Sequence, residues 1–360
     1  MPKHVQEFDY IVVGGGVIGA SVFYHLARYG FTVCLLEKNT VVSGCTMWSG
    51  GIVRCFHLNK DLCDKAVFSW DYYTRFEEAT SVACPFIKTG FLYFPEEKDI
   101  AFAVSESSRL SKQIPIEWLD ADRLHNKFGT ILIDKSHGAV YEPLSGYMDP
   151  VRVTHSWLEA AKAKSGVLYE HVDITKYNFS NPEICSLETS IGHLYARRVI
   201  LATGYSTPAL LDQLNIKHDL YAQLIHVDVR RPAAFPEELP AYIDDCYQLN
   251  GRPDAPSGKI YLGHPTHLRL DGSPSWAKTD KDHSEKIKQQ GTNRWNWVST
   301  SECVASLRSP DCYTKEGTGR VMAVDEAQRI FVATGFSGGG FKMAPWVGSD
   351  ILRQIKALDT

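Results

Sequence analysis

Apolar positions along this 360-residue chain follow two spacings. Tyr10 to Val13 is a short, unbroken apolar run bounded by glycines, the pattern of a strand buried on both faces. Val17 to Tyr29 carries its apolar residues at helical spacing, and Gly30 stands where a left-handed residue ends a helix. Phe31 to Leu36 is a second apolar strand, closed by Glu37. Strand, helix and strand in this order predict a βαβ unit. Two later segments repeat part of that pattern. "ARRVILATGYSTPALLDQL" predicts a strand from Arg198 to Ala202, a turn at Thr203 and Gly204, and a helix from about Thr207. Arg329 to Thr334 predicts another strand, and a glycine-rich stretch then leads to a helix from Pro345 to about Ala357. Between these pieces "TGFLYFPEE", "AQLIHVDVRRP" and "KIYLGHP" read as β-rich. Asp271 to Asn296 is polar without clear periodicity and reads as loop with some helix. No internal repeat or low-complexity tract interrupts the chain.

This arrangement predicts an α/β protein of two interleaved domains. A discontinuous Rossmann-like domain takes residues 1–85, 147–216 and 317–360, and an α+β substrate domain built on an antiparallel sheet takes 86–146 and 217–316. Composition narrows the function classes. The chain is 44% hydrophobic and 22% charged, with a formal net charge of −4, which leaves no basic footprint for nucleic acid. No run approaches the roughly 20 apolar residues of a membrane span. The opening "MPKHVQEFD" has no long apolar stretch, and the nine cysteines show no C-x-x-C spacing. The expected setting is a reducing cytoplasm, with no disulfide framework and no metal site.

Gly14, Gly16 and Gly19 form G-x-G-x-x-G between the first strand and the first helix. The first glycine permits the tight turn, the second lets backbone approach a pyrophosphate, and the third lets helix and strand pack closely. The helix N-terminus then favours phosphate, and Glu37 is placed to accept hydrogen bonds from a ribose. An ordinary glycine turn in an α/β sheet is the plainer alternative. An NAD domain would continue into further βαβ repeats. Here the acid is followed by "NTVVSGCTMWSGGIVR", which lacks strand character and suits a loop passing over an extended cofactor. FAD is therefore the expected dinucleotide.

The fingerprint, "SGCTMWSGGIVR", "GYMDPVRV", "VILATG" and "ATGFSGGGFKMAP" together resemble the D-amino-acid oxidase superfamily of FAD-dependent amine oxidoreductases, and most closely its sarcosine oxidase-like branch. The resemblance implies a sheet roofing the flavin and a glycine-rich turn running beside its ring. Pro345 would open the helix after that turn, aiming its N-terminus at the flavin's pyrimidine end. Expected cofactor contacts beyond the fingerprint glycines are Val17, Ile18, Glu37, Lys38, Gly44, Cys45, Thr46, Trp48, Ser49, Gly50, Gly51, Ile174, Ala202, Thr203 and Gly204. Gly335, Gly338, Gly339, Gly340, Phe341 and Lys342 complete the set, the glycines being small because a ring lies against them.

By the same resemblance, Lys342 and Arg54 hold the substrate carboxylate. An arginine fork and an ammonium would fix the substrate so that its C–H faces flavin N5. The implied reaction is hydride transfer from the carbon bearing a neutral amine, hydrolysis of the imine, and reoxidation by oxygen. Three positions depart from the pattern. The family's flavin-linking cysteine is replaced by Asp311, with Cys312 one residue later, which favours non-covalent FAD. Arg269 stands for the oxygen-activating lysine. Gly339 replaces a histidine, which opens the pocket to a substrate larger than sarcosine. Tyr261, His264 and His267 belong to the roof and are pocket candidates, although histidines there are more often packed or exposed. Tyr147, Met148 and Asp149 read as structural, with Asp149 capping a helix that Pro150 opens. The expected partner is a small amine or amino acid, with oxygen. An enzyme acting on a protein- or carrier-bound substrate and a non-catalytic flavoprotein subunit remain as alternatives.

Overall fold

The computed structural model describes residues 6–132, 138–181, 183–270 and 280–359. Its first sheet has eight strands. The central strand Gln6–Val13 pairs in parallel with Gly192–Leu201 on one side and Val33–Leu36 on the other. Ile330–Thr334 and Val167–Tyr169 extend the parallel array outward. Arg320–Ala323 pairs antiparallel at one edge, and a hairpin arm of Ile174–Asn178 and Cys185–Thr189 hangs from Gly192–Leu201. The apolar run of the first strand is explained by its two faces. Tyr10 and Val12 enter one core, Ile11 and Val13 the other, and all four are buried.

Helices Val17–Tyr29, Pro150–Lys162 and Gly340–Leu358 pack over one face of this sheet. The first ends at Gly30 with φ 105°, and its amide bonds back to the Ala27 and Leu26 carbonyls. Asp149 caps the second by accepting from the Val151 and Arg152 amides at 2.8 and 3.1 Å, and Pro150 opens it.

The second sheet also has eight strands. They run in the order Glu302–Tyr313, Tyr221–Arg231, Lys259–Gly263, Leu249–Asp254, Ala241–Asp244, Phe91–Phe94, Gly138–Glu142 and Glu117–Asp120. Pairing is antiparallel throughout except between Ala241–Asp244 and Phe91–Phe94. Its chain segments are inserted between those of the first sheet, so the two layers are interleaved. A short two-stranded pair, Ile52–Val53 with Gly146–Tyr147, joins the neighbourhood of both. No helix among the described residues is long and apolar enough to cross a membrane.

One element is more regular than the sequence suggests and one starts earlier. Lys281–Arg294 is a regular helix of 14 residues capped by Asp280, whose carboxylate accepts from the His283 amide at 3.0 Å. It buries only Ile287, Gly291 and Arg294, so no apolar stripe announces it. Residues 271–279 of the same polar segment lie outside the described residues. The last helix starts at Gly340 rather than Pro345, which places the proline inside it. Proline has no amide to donate to the Phe341 carbonyl four residues back. The Tyr73 hydroxyl donates to that carbonyl at 2.7 Å instead, and its ring stacks on Phe341. An external donor therefore lets the helix run through the proline.

Candidate active site

Between the two sheets lies a cavity of about 1500 Å³. That exceeds the roughly 300–1,000 Å³ of ordinary ligand sites and leaves room for a dinucleotide together with a substrate. Its floor is the first glycine loop. Gly14 takes φ 110°, and a Cβ there would stand 2.5 Å from the Ala202 carbonyl oxygen. A Cβ on Gly19 would come within 1.9 Å of the Gly14 carbonyl, so this glycine serves helix-to-strand packing below the cavity. Glu37 closes the loop, accepting from the Gly15 amide at 2.7 Å and the Asn39 amide at 2.8 Å. The Val17 amide donates to Thr46 Oγ1 at 3.0 Å, which docks the Gly44–Gly51 segment on the mouth of the first helix.

Gly14, Gly16, Val17, Ile18, Glu37, Lys38, Gly44, Cys45, Thr46, Trp48, Ser49 and Gly50 all line the cavity. So do Ile174, Ala202, Thr203 and Gly204 from the first sheet, and Gly335, Gly338, Gly339, Gly340, Phe341 and Lys342 from the C-terminal turn. Gly19 and Gly51 stand behind the wall. At Gly51, with φ 65°, an added Cβ would meet the Met148 carbonyl at 2.0 Å. Gly335 is also small for an internal reason, because Leu220 and Thr314 would stand 2.7 and 2.8 Å from its Cβ. Gly338 faces open space, so a planar group has access there. A glycine cradle, a helix mouth and this volume fit an FAD.

At the far wall two cations meet. Arg54 follows the strand Ile52–Val53 and is only 6% exposed. Its guanidinium lies over the Phe91 and Tyr93 rings, 5.2 and 5.9 Å from their centroids, while Nε and Nη1 are buried without a hydrogen-bond partner among the described residues. Lys342, buried in the first turns of the last helix, has no hydrogen-bond or ion-pair partner among the described residues. Burial first, and repulsion from Arg54 second, lower the pKa of Lys342 to about 7, with Asp311 opposing. His57 lines the same wall with its Nε2 buried and unpartnered. Burial, Arg54 and Lys342 together hold it neutral, well below the usual histidine range. Glu142 fixes the turn behind these groups by accepting from the Cys55 and Phe56 amides at 2.9 and 2.7 Å and from the Ser145 hydroxyl. Sequence reasoning missed His57 and Glu142, and their only local signal is that His57 lies three residues after Arg54.

Asp311 also faces the cavity, accepting from the Gly338 amide at 2.9 Å, and burial raises its pKa. Strand alternation turns Cys312 away into the hydrophobic core beside Thr334.

Three roof candidates are not in the cavity wall. Arg269 is exposed, bridges to Gln223, and spreads its guanidinium over Tyr221 at 4.0 Å. Tyr261 carries the Arg252 guanidinium over its ring, 4.3 Å from the centroid. His267 is exposed in a left-handed turn at φ 54°. His264 does reach the wall; it is buried, and burial lowers its pKa to about 4.

Comparison with known proteins agrees with this geometry. The 4-methylaminobutanoate oxidase (formaldehyde-forming) of Paenarthrobacter nicotinovorans is 25% identical over 99% of the chain, which spans 44% of that protein. Monomeric sarcosine oxidase of Bacillus sp. (strain B-0618) is 24% identical over 97% of the chain and 92% of its own length. The crystal structure of L-proline dehydrogenase from P. horikoshii superposes with a TM-score of 0.88 at 19% identity, covering 98% of this chain and 94% of that one, and so shares the fold. The sequence model of the FAD dependent oxidoreductase family matches residues 9–353. The chain belongs to the FAD-dependent oxidoreductases.

Proposed function

We propose that the chain oxidises an amine or amino acid that carries a carboxylate, with non-covalently held FAD. The carrying observation is the pair of buried cations, Arg54 and Lys342, on one cavity wall beside the glycine-rich turn, neither with an ion-pair partner among the described residues. A buried charge without a partner is costly and is kept where a ligand supplies the counter-charge. A carboxylate does so, with a fork of two N–H donors on one side and an ammonium on the other.

The chemistry FAD supplies when bound is acceptance of a hydride from the carbon next to nitrogen. The protein's residues prepare the substrate for that loss. Arg54 and Lys342 fix one end, which limits the angle at which the C–H is presented. Their positive field also disfavours an ammonium nearby, so the bound amine is held in its neutral form. His57, neutral between the two cations, adds no further positive charge. Phe91 and Tyr93 exclude water from behind the guanidinium, strengthening its hold on the anion.

The cavity-facing position of Asp311 and the inward turn of Cys312 support non-covalent attachment. Oxygen is the proposed acceptor. The 4-methylaminobutanoate oxidase and the sarcosine oxidase named above are oxidases acting on N-methyl amines bearing a carboxylate, which supports both the substrate class and the acceptor.

Anaerobic mixing of the holoprotein with N-methyl, cyclic and D-amino acids tests the reading. Bleaching of the flavin band near ~450 nm by an amine with a carboxylate is expected, with colour restored on admitting air. Acid precipitation should release the yellow colour into the supernatant. Bleaching by amines lacking a carboxylate as fast as by those bearing one would defeat the proposal.

A further inference from the structure

We infer that Arg252, which lies outside the cavity wall, is the positioning residue through which the second sheet holds both the Gly44–Gly51 segment and Arg54. This rests on the reading that the segment borders FAD and that Arg54 takes the carboxylate. Arg252 sits on the strand Leu249–Asp254 and is buried. Its Nε donates to the Gly50 carbonyl at 2.5 Å, and its Nη1 donates to the Pro253 carbonyl at 3.0 Å. The guanidinium carbon stands 4.0 Å from the Tyr147 ring centroid and 4.3 Å from that of Tyr261, so two aromatic rings cover it. Among the described residues no carboxylate lies within ion-pair distance of it.

Each contact leads to a different part of the site. Tyr261 is the cross-strand partner of Arg252 within the roof. Tyr147 pairs with Ile52, two residues before Arg54. Gly50 itself lines the cavity. Gly51 cannot shift independently, because its amide and carbonyl are held by Ser49 and Met148. A guanidinium edge on Gly50, with two rings packed against it, therefore sets where the chain from Gly50 to Arg54 lies against the roof. Only a planar cation both stacks on rings and donates from its edge; an ammonium on a flexible stem does one or the other.

The test uses the intact holoprotein with two variants, Arg252→Met and Arg252→Lys, and two readouts that do not involve turnover. One is the FAD dissociation constant from fluorescence of released flavin; the other is the propanoate dissociation constant from perturbation of the flavin spectrum. Loss of a charge-assisted hydrogen bond predicts that Arg252→Met raises both constants about tenfold or more. Arg252→Lys should fall between Met and the parent. If the Met variant does not accumulate folded, the Lys variant decides. A lowered melting temperature with both constants within about twofold of the parent would mark Arg252 as structural only and overturn the inference. Weakening of one constant without the other would likewise overturn the joint role. Arg54→Met serves as the control and should lose propanoate while keeping FAD. If it binds propanoate unchanged, the carboxylate reading fails separately, and the FAD arm alone still judges the hold on the segment.

Discussion

Two buried arginines flank the same short strand, Phe91–Phe94, from opposite sides. Arg294 packs its guanidinium over Phe94 and Tyr247 at 4.4 and 5.0 Å, and Arg54 lies over Phe91 and Tyr93. Alternation along the strand separates them, since odd and even residues point to opposite faces. Both guanidiniums are buried, yet their electrostatic surroundings differ. Arg294 Nε meets Asp244 at 2.6 Å and its Nη1 meets the Leu132 carbonyl at 3.0 Å, leaving only Nη2 without a partner. Arg54 has no carboxylate at ion-pair distance among the described residues, and two of its donors point at nothing. Burial alone does not separate the two. A direct ion pair does: Arg294 has one with Asp244, whereas Glu142 and Asp245 act on Arg54 only from beyond ion-pair distance.

That contrast is open to direct attack, and the strongest blow falls on the paired side. Asp244→Asn strands the Arg294 charge in the core and should cost about 3–5 kcal/mol, read from urea unfolding. Arg54→Met removes an unpaired charge and should leave the unfolding midpoint where it was or raise it. Equal losses in the two variants would erase the distinction.

Binding should respond in the opposite order. Arg54→Met is expected to weaken propanoate by about 100-fold, the worth of two charge-assisted hydrogen bonds, while Asp244→Asn protein that does fold should bind it normally. Lys342→Met comes next. It should weaken propanoate about tenfold and at the same time raise the thermal midpoint by a few degrees, because a buried ammonium is exchanged for an apolar chain of similar length. Weaker binding together with a lower midpoint would mean that Lys342 is satisfied in the free protein after all.

The smallest effect is in pH. Lys342 has a folded pKa of about 7, below the ordinary 10.5. Between those values the unfolded chain binds more protons than the folded one, so stability rises with pH across that window. The cost of the buried charge is fully present below pH 7. Anion binding needs the protonated form, so propanoate affinity should fall as pH rises above about 7, by at most about tenfold per unit. Lys342→Met should flatten both profiles. A binding profile that stays sloped in that variant would assign the titration to another group.

How much of this was legible depended on how local the determining contacts are. The first glycine loop was fully legible, since Gly14, Gly19 and Ala202 are brought together by a strand–turn–helix whose signals lie in a few residues. Arg54 and Lys342 were singled out only through resemblance, because neither position has a local pattern that marks it. In the roof, cross-strand register decides the neighbour. Tyr261 meets Arg252 because Leu249–Asp254 and Lys259–Gly263 align them, and Arg269 falls on Tyr221 because of how the chain leaves the roof. Neither follows from residue type or spacing. The polar helix Lys281–Arg294 was legible only as some helix within a loop, because Ile287 and Gly291 are the only uncharged residues it buries and they make no apolar stripe.

Pro345 carries a consequence for the cation next to it. By withholding an amide it leaves the Phe341 carbonyl free, and Tyr73 on the helix Lys60–Thr74 takes hold of it. Phe341 is the residue immediately before Lys342. The ammonium's anchor point is thus moored to a second helix by the Tyr73 phenol, with the Trp346 amide tied to Ser69 one turn further along, so any sliding of that helix is passed straight to the residue that carries the ammonium.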